Sequence, residues 1–231
     1  MMRTLKLTAA LAALALAATG IAYASPLFKQ ISVITLTATK EGKPTGLKAS
    51  LESSDAGAVQ PQGLKTLTIT LPTHTKFNFK SKAIKLCTAP EVEIKATLGK
   101  ACPAKSEIGT GTAVANGAPV LPMIPEDAVA YAGKNQIVFL LTPATPAGGQ
   151  VLVLYGKVVA NKVTTSVPVI TAGGLNIVIT ALNLTVKTIG SGSNAFITAG
   201  KCTAGKFVVK SGFLYQTGAT LTLSSSSKCS K

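Results

Sequence analysis

The chain has 231 residues, 23 Lys+Arg against 8 Asp+Glu for a net charge of +15, no tryptophan and one histidine. Its only arginine is Arg3, so nearly all of the positive charge is lysine, a hydrated point charge without the planar fork that reads phosphates and guanine edges. Specific nucleic-acid recognition is excluded on that ground. The scarcity of imidazole and the lack of a Gly-x-Ser-x-Gly elbow argue against an enzyme.

Arg3 and Lys6 form a positive start, Leu7 to Ala18 an apolar run, and Ala22-Tyr23-Ala24 a small-x-small cleavage site. Residues 1–24 therefore read as a signal peptide and 25–231 as a single secreted β domain. The apolar run is shorter than the roughly 20 residues of a spanning helix. Ser25, not cysteine, follows the cleavage site, so no lipid anchor is expected. No later segment reads as a transmembrane span, and the expected location is extracellular or cell-wall associated.

Beyond the leader, Ile34, Leu36 and Ala38 alternate with threonines in Ile31 to Thr39, the period-two pattern of a half-buried strand. Glu41-Gly42-Lys43-Pro44 supplies a turn, Leu47 to Leu51 a second strand, and Ser53 to Gly63 a polar Gly/Pro loop. Leu64 to Leu71 alternates again, with Leu67, Ile69 and Leu71 on one face and threonines toward water. Phe77 and Phe79 stand at strand spacing and are expected in the core. Glu91 to Leu98, where Val92, Ile94 and Ala96 alternate, reads as strand or loop. From Ile108 the Gly-Thr-Gly-Thr-Ala-Val-Ala run predicts a strand beginning at a close backbone approach, followed by an irregular connection through Pro119, Pro122 and Pro125.

The second half is denser in strands: 136–142, 150–160, 162–170, 175–189, 206–215 and 219–224 are β-branched or alternating and separated by turn residues. Val151-Leu152-Val153-Leu154 is apolar on both faces, as a central strand should be. Short strands at this spacing, with no helical period after the leader, predict an all-β fold, an antiparallel β-sandwich of Ig-like or jelly-roll-like type.

Cys87, Cys102, Cys202 and Cys229 make an even set in an exported chain and predict two disulfides, for which three pairings exist. Sequence-local pairing joins Cys87 to Cys102 and Cys202 to Cys229, each bridge stabilising by about 3 kcal/mol. For the second pair there is a register argument. Phe207 and Val209 alternate on one arm, Leu221 and Leu223 on the other, and Gln216-Thr217-Gly218 lies between them. Folding there brings the two cysteines to the open end of a hairpin. No Cys-x-x-Cys occurs, so zinc is not expected, nor is any other metal or cofactor.

Candidate chemistry is sparse. His74 lies in the loop-like Pro72-Thr73-His74-Thr75 and reads as an exposed spectator. Glu91 with Glu93, and Glu126 with Asp127, are the near pairs of carboxylates and read as solvated surface charge. Gly109-Thr110-Gly111 lacks the third glycine of a dinucleotide loop. With no tryptophan, and only Tyr131, Tyr155 and Tyr215 beyond the leader, stacking on sugars is weakened.

The block Cys102-Pro103-Ala104-Lys105-Ser106-Glu107-Ile108-Gly109-Thr110-Gly111, preceded by Leu71-Pro72 and Cys87, resembles a group of exported actinobacterial proteins of unknown function that carry Cys-Pro-x-x-Ser-x-Ile-Gly-x-Gly. The end is similar too: Cys202, Gly205-Lys206-Phe207, Tyr215 and Cys229 match the group's closing pattern, with Phe207 where that pattern has tryptophan. The resemblance implies a secreted β protein with paired cysteines and brings no activity with it.

The expected role is therefore a secreted structural or binding protein of the cell envelope or medium, without catalytic activity. Its lysine-rich surface reads first as solvated charge with no specific partner, and second as a weak affinity for anionic cell-envelope polymers or another envelope protein. A carrier of a small apolar or carbohydrate ligand is the alternative, and a hydrolase the third reading. A lined cavity of several hundred Å³ would favour the carrier. A polar cleft with converging carboxylates would favour the hydrolase.

Overall fold

The computed structural model describes residues 28–55, 62–118, 121–144, 150–172 and 174–231. The leader with its cleavage site, and Pro119, lie outside the described residues. The chain forms β1 (Phe28–Leu36), β2 (Leu47–Asp55), β3 (Leu64–Thr70), β4 (Lys76–Phe77), helix α1 (Glu91–Ala96), β5 (Glu107–Gly117), β6 (Leu121–Gly133) and β7 (Gln136–Pro143). There follow β8 (Leu152–Val159), β9 (Lys162–Ser166), β10 (Ile170–Ala172), β11 (Leu175–Val186), β12 (Ile197–Thr198), β13 (Lys206–Tyr215) and β14 (Thr220–Lys228).

All but β4 and β12 belong to one sheet, in the order β1-β2-β11-β5-β6-β7-β8-β9-β3-β13-β14, with β10 paired to β11 alone. The all-β antiparallel expectation holds, and the two layers of the expected sandwich are opposite walls of this single sheet, curled into a nearly closed barrel. Each neighbouring pair along the path is antiparallel. An odd number of alternating strands leaves β1 and β14 running the same way where the ends meet. At that seam the Ser225 hydroxyl donates to the Ile34 carbonyl at 2.7 Å and accepts from the Ile34 N–H at 3.0 Å. Further along, the Ser230 N–H donates to Thr39 O and the Glu41 N–H to Ser230 O, a parallel bridge.

The period-two pattern decides what fills the barrel. Ile34 and Leu36, Leu47 and Leu51, Leu152 and Leu154, and Phe207, Val209, Phe213 and Tyr215 belong to one buried cluster. Val153, between the inward Leu152 and Leu154, belongs to a second cluster on the outer face with Val138, Leu140, Tyr131 and Ile94. The two apolar faces of Val151 to Leu154 are thus both used. One faces the barrel interior and the other lies under the segment stapled by Cys87–Cys102.

That segment departs from the strand-or-loop expectation. Glu91–Ala96 is helical, with Pro90 extended at its N-cap, a Glu91–Lys95 ion pair of 2.6 Å at i,i+4, and Ile94 1% exposed against the outer cluster. Val92 is 74% exposed, so its alternation with Ile94 carries no strand face. The turn that follows the helix closes at Gly99, whose φ is +85° and whose N–H donates to Ile94 O. A Cβ there would also strike the Tyr131 hydroxyl and Leu140.

A second departure is the connection expected at Pro122 and Pro125, which is instead part of β6. Its inward positions run Ile124, Glu126, Ala128, Ala130, Ala132, all buried. Pro125 is exposed, and its carbonyl accepts from the Ala144 N–H at 2.9 Å. The facing strand β5 shifts register between Ala115 and Gly117, an irregularity of the kind that tolerates missing donors.

Candidate functional site: an apolar cavity with a neutral polar rim

The barrel has two unlike ends. At one, Phe196 is fully buried, with its ring centroid 6.1 Å from Phe77 and 5.5 Å from Phe79, both in edge-to-face geometry. Phe77 and Phe79, expected in the core, pack against it as part of this plug. The β4–β12 pair and the Cys202–Cys229 bridge (Cα–Cα 5.9 Å) lie at the same end. The register Lys206↔Lys228 to Leu214↔Thr220 is the hairpin read from the sequence, and Cys87–Cys102 (Cα–Cα 4.7 Å) is the other local pairing.

Toward the opposite end the walls do not meet. A cavity of about 310 Å³ lies between them, walled by Ile34, Leu67, Ile137, Leu154 and Phe213, among other apolar side chains. It reaches the surface among residues that are both lining and exposed: Glu52, Pro168, Gln216 and Val169, the last 64% exposed. A second hollow, on the outer face over β2, β11 and β5, is floored by Gly111 and edged by threonines and Lys48, and gathers no converging groups.

Apart from the exposed Glu52, the rim of the inner cavity is built from neutral amides and hydroxyls whose bonds tie the strands together. The Gln30 side-chain amide donates to Ile31 O and Glu52 O and accepts from the Tyr215 hydroxyl at 3.1 Å. Gln216 Nε2 donates to Leu64 O and Val167 O, and the Thr217 hydroxyl donates to Gln62 Oε1 at 2.7 Å. Burial pushes the Tyr215 phenol up to about 12. Ser53, opposite Gln30 in the β1–β2 register, also lines the cavity. Its hydroxyl is buried with no hydrogen-bond partner among the described residues.

The charged candidates fall elsewhere. His74 is exposed in a turn with φ +66°, as expected. Glu91 and Glu93 are two apart on a helix, so they do not share a face as they would on a strand. Glu126 corrects the reading of its pair as surface charge: it faces inward and is 3% exposed, and its Oε2 has no partner among the described residues. Asp127 points to the other face of β6. Burial, and secondarily the Asp127 charge, raise the Glu126 carboxyl to about 7. It lies one inward position beyond Ala128, whose cross-strand neighbour Leu141 lines the cavity, but does not itself line it. Gly109 and Gly111 serve packing: a Cβ on either would collide with β11 carbonyls, of Thr185 and Asn183 respectively. No group of three His, Cys, Asp or Glu that could hold a metal occurs among the described residues.

Sequence reasoning missed the cavity. Aliphatic content is the same whether opposite walls touch or stand apart. No family model, no curated protein and no solved structure matches this chain.

Proposed function

We propose that this is an exported binding protein that carries a small apolar ligand inside its barrel. One observation carries the reading: an apolar cavity of about 310 Å³, at the lower end of the range for small-molecule sites, open to the surface at one rim. A core packed to ordinary density leaves few voids larger than a water molecule. A space this size lined by aliphatic and aromatic groups is therefore a cost to stability unless something fills it. The two disulfides are compatible with action outside the cytoplasm, and no helix among the described residues is long and apolar enough to cross a membrane.

The test is saturable binding of a fluorescent apolar probe, 1-aminoanthracene, to the chain from Ser25. Binding with about one site per chain is expected, and it should be lost in Ile69→Trp, which fills the wall. Absence of saturable binding in the unsubstituted protein overturns the carrier reading. The lysine-rich surface supports a looser association with anionic envelope polymers. Retention on isolated envelope fractions is expected at low salt and lost at high salt, and no retention at low salt removes that part.

A further inference from the structure

The chemistry of the rim narrows the ligand class. We infer that the cavity takes a neutral single-chain amphiphile, with its chain among the barrel side chains and an uncharged hydrogen-bonding head against Ser53 Oγ. This inference rests on the carrier reading and goes further than it. Three observations lead to it.

Among the described lining residues below the rim, Thr165 and Thr180 are the polar ones, and the Thr180 hydroxyl already donates to Val114 O, while the rim is crowded with amides and hydroxyls. A ligand matching that gradient is apolar for most of its length and polar at one end. At about 30 Å³ for each water-sized group, a space of about 310 Å³ holds roughly ten such groups, the size of an eight- or nine-carbon chain with its head.

The head is uncharged because of what the rim leaves out. Lysine is abundant elsewhere on this protein, yet no lysine or arginine is among the described residues that line the cavity. Among the described lining residues, Glu52 and Tyr215 are the ones that ionise at all. A carboxylate or phosphate head would leave water for a site with no counter-ion and one like charge, which costs several kcal/mol without compensation. A cationic head would meet only Glu52, exposed and solvated, a contact of little value.

The third observation is the unused hydroxyl. Gln30 uses both ends of its amide within the protein, Gln62 Oε1 accepts from Thr217, and Gln216 Nε2 donates to Leu64 O and Val167 O. Ser53 Oγ is buried, lines the same cavity, and has no partner among the described residues. Buried hydroxyls are nearly always satisfied, and a ligand hydroxyl or carbonyl at this point would complete it.

The experiment titrates 1-octanol, octanoate and octyltrimethylammonium, each at pH 8, into methyl-labelled protein. The Ile69 and Ile137 methyl resonances follow occupancy, and 1-aminoanthracene serves as the apolar reference probe. Expected are shifts at both methyls with 1-octanol binding at least tenfold tighter than either charged probe. Ser53→Ala should weaken 1-octanol by three- to tenfold and change 1-aminoanthracene affinity by less than twofold. Octanoate or octyltrimethylammonium binding as tightly as 1-octanol overturns the inference, and so does Ser53→Ala with unchanged 1-octanol affinity. The octanol-to-octanoate ratio in the unsubstituted protein decides the matter even if the variant folds poorly. If 1-aminoanthracene binds while the eight-carbon series shows no preference, only the amphiphile inference fails. If nothing binds, the carrier reading fails with it.

Discussion

The two ends of the barrel differ in how most of their buried polar groups are treated. At the plugged end, Thr45 is fully buried, with its hydroxyl accepting from the Ala38 N–H and donating to Gly46 O. The Thr75 hydroxyl donates to Pro72 O, the Ser81 hydroxyl to Asn194 O, and the Ser106 hydroxyl to Pro103 O. Among the described residues, Ser53 Oγ and Glu126 Oε2, toward the open end, are buried and unpartnered, as is Ser227 Oγ, which stands opposite Phe207 near the Cys202–Cys229 bridge. An unsatisfied buried polar atom costs about 1–3 kcal/mol. The difference teaches where stability is concentrated and where it has been given up. The floor is built to hold, whereas the rim and its neighbourhood keep polar capacity in reserve.

The largest effect should come from removing the centre of the plug. Phe196→Ala deletes a fully buried ring wedged between Phe77 and Phe79 and is expected to lower unfolding stability by about 3–5 kcal/mol in urea titration. Val169→Ala at the rim should change it by less than about 0.5 kcal/mol. Equal losses from the two would erase the contrast.

Next in size is the staple of the same end. Replacing Cys202 and Cys229 together with serine opens a loop spanning 27 residues and should cost about 3.5 kcal/mol by the loop-entropy relation. A midpoint shift on reduction in the unsubstituted protein, absent from a variant lacking both bridges, is the check.

Glu126 sharpens the comparison from the other side. Its carboxyl is raised in the folded state to about 7, above the usual carboxylate value near 4.5. As pH climbs between these values the unfolded chain gives up a proton that the folded one keeps. This group's contribution to stability is therefore greatest below about pH 4.5, falls through the interval, and levels off above about pH 7, with a total change of about 3 kcal/mol. Denaturation midpoints at pH 5 and pH 8 should show that loss in the unsubstituted protein and lack it in Glu126→Gln. A pH response that survives the substitution assigns it to other groups.

The smallest effect is also the most local. Ser53→Ala removes a buried hydroxyl with no partner among the described residues and should leave stability unchanged or raise it by up to about 1 kcal/mol. Thermal melts that show a clear loss would mean the hydroxyl is structurally engaged and the rim is not in reserve.

Much of this was legible in the residues because strands with one clean alternating face read plainly. The hairpin from Lys206 to Lys228 and the run Leu64–Thr70 are of that kind, and the hairpin's arms also placed one disulfide. The helix Glu91–Ala96 was not legible. Over six residues, apolar positions two apart are as compatible with a strand as with a helix, and what decides is Ile94 docking onto the outer sheet face. Strand β6 was hidden by its prolines, and with it the inward direction of Glu126, since facing can be counted only once a strand is recognised. The cavity depends on the distance between walls, which no local pattern encodes. The neutral amides Gln30, Gln62 and Gln216 stood in the sequence without anything to show that they meet.

The seam between β1 and β14 has a consequence for the order in which this protein is made. Ile34 has its partner Ser225 at a separation of 191 residues, and Thr39 finds Ser230 equally far along the chain. A chain synthesised from its N-terminus exposes one edge of β1 until almost the whole polypeptide has followed. Neither the wall nor the chamber behind it exists before then. The enclosed space therefore forms last, when the C-terminal strand docks on the first one, and belongs only to the finished molecule.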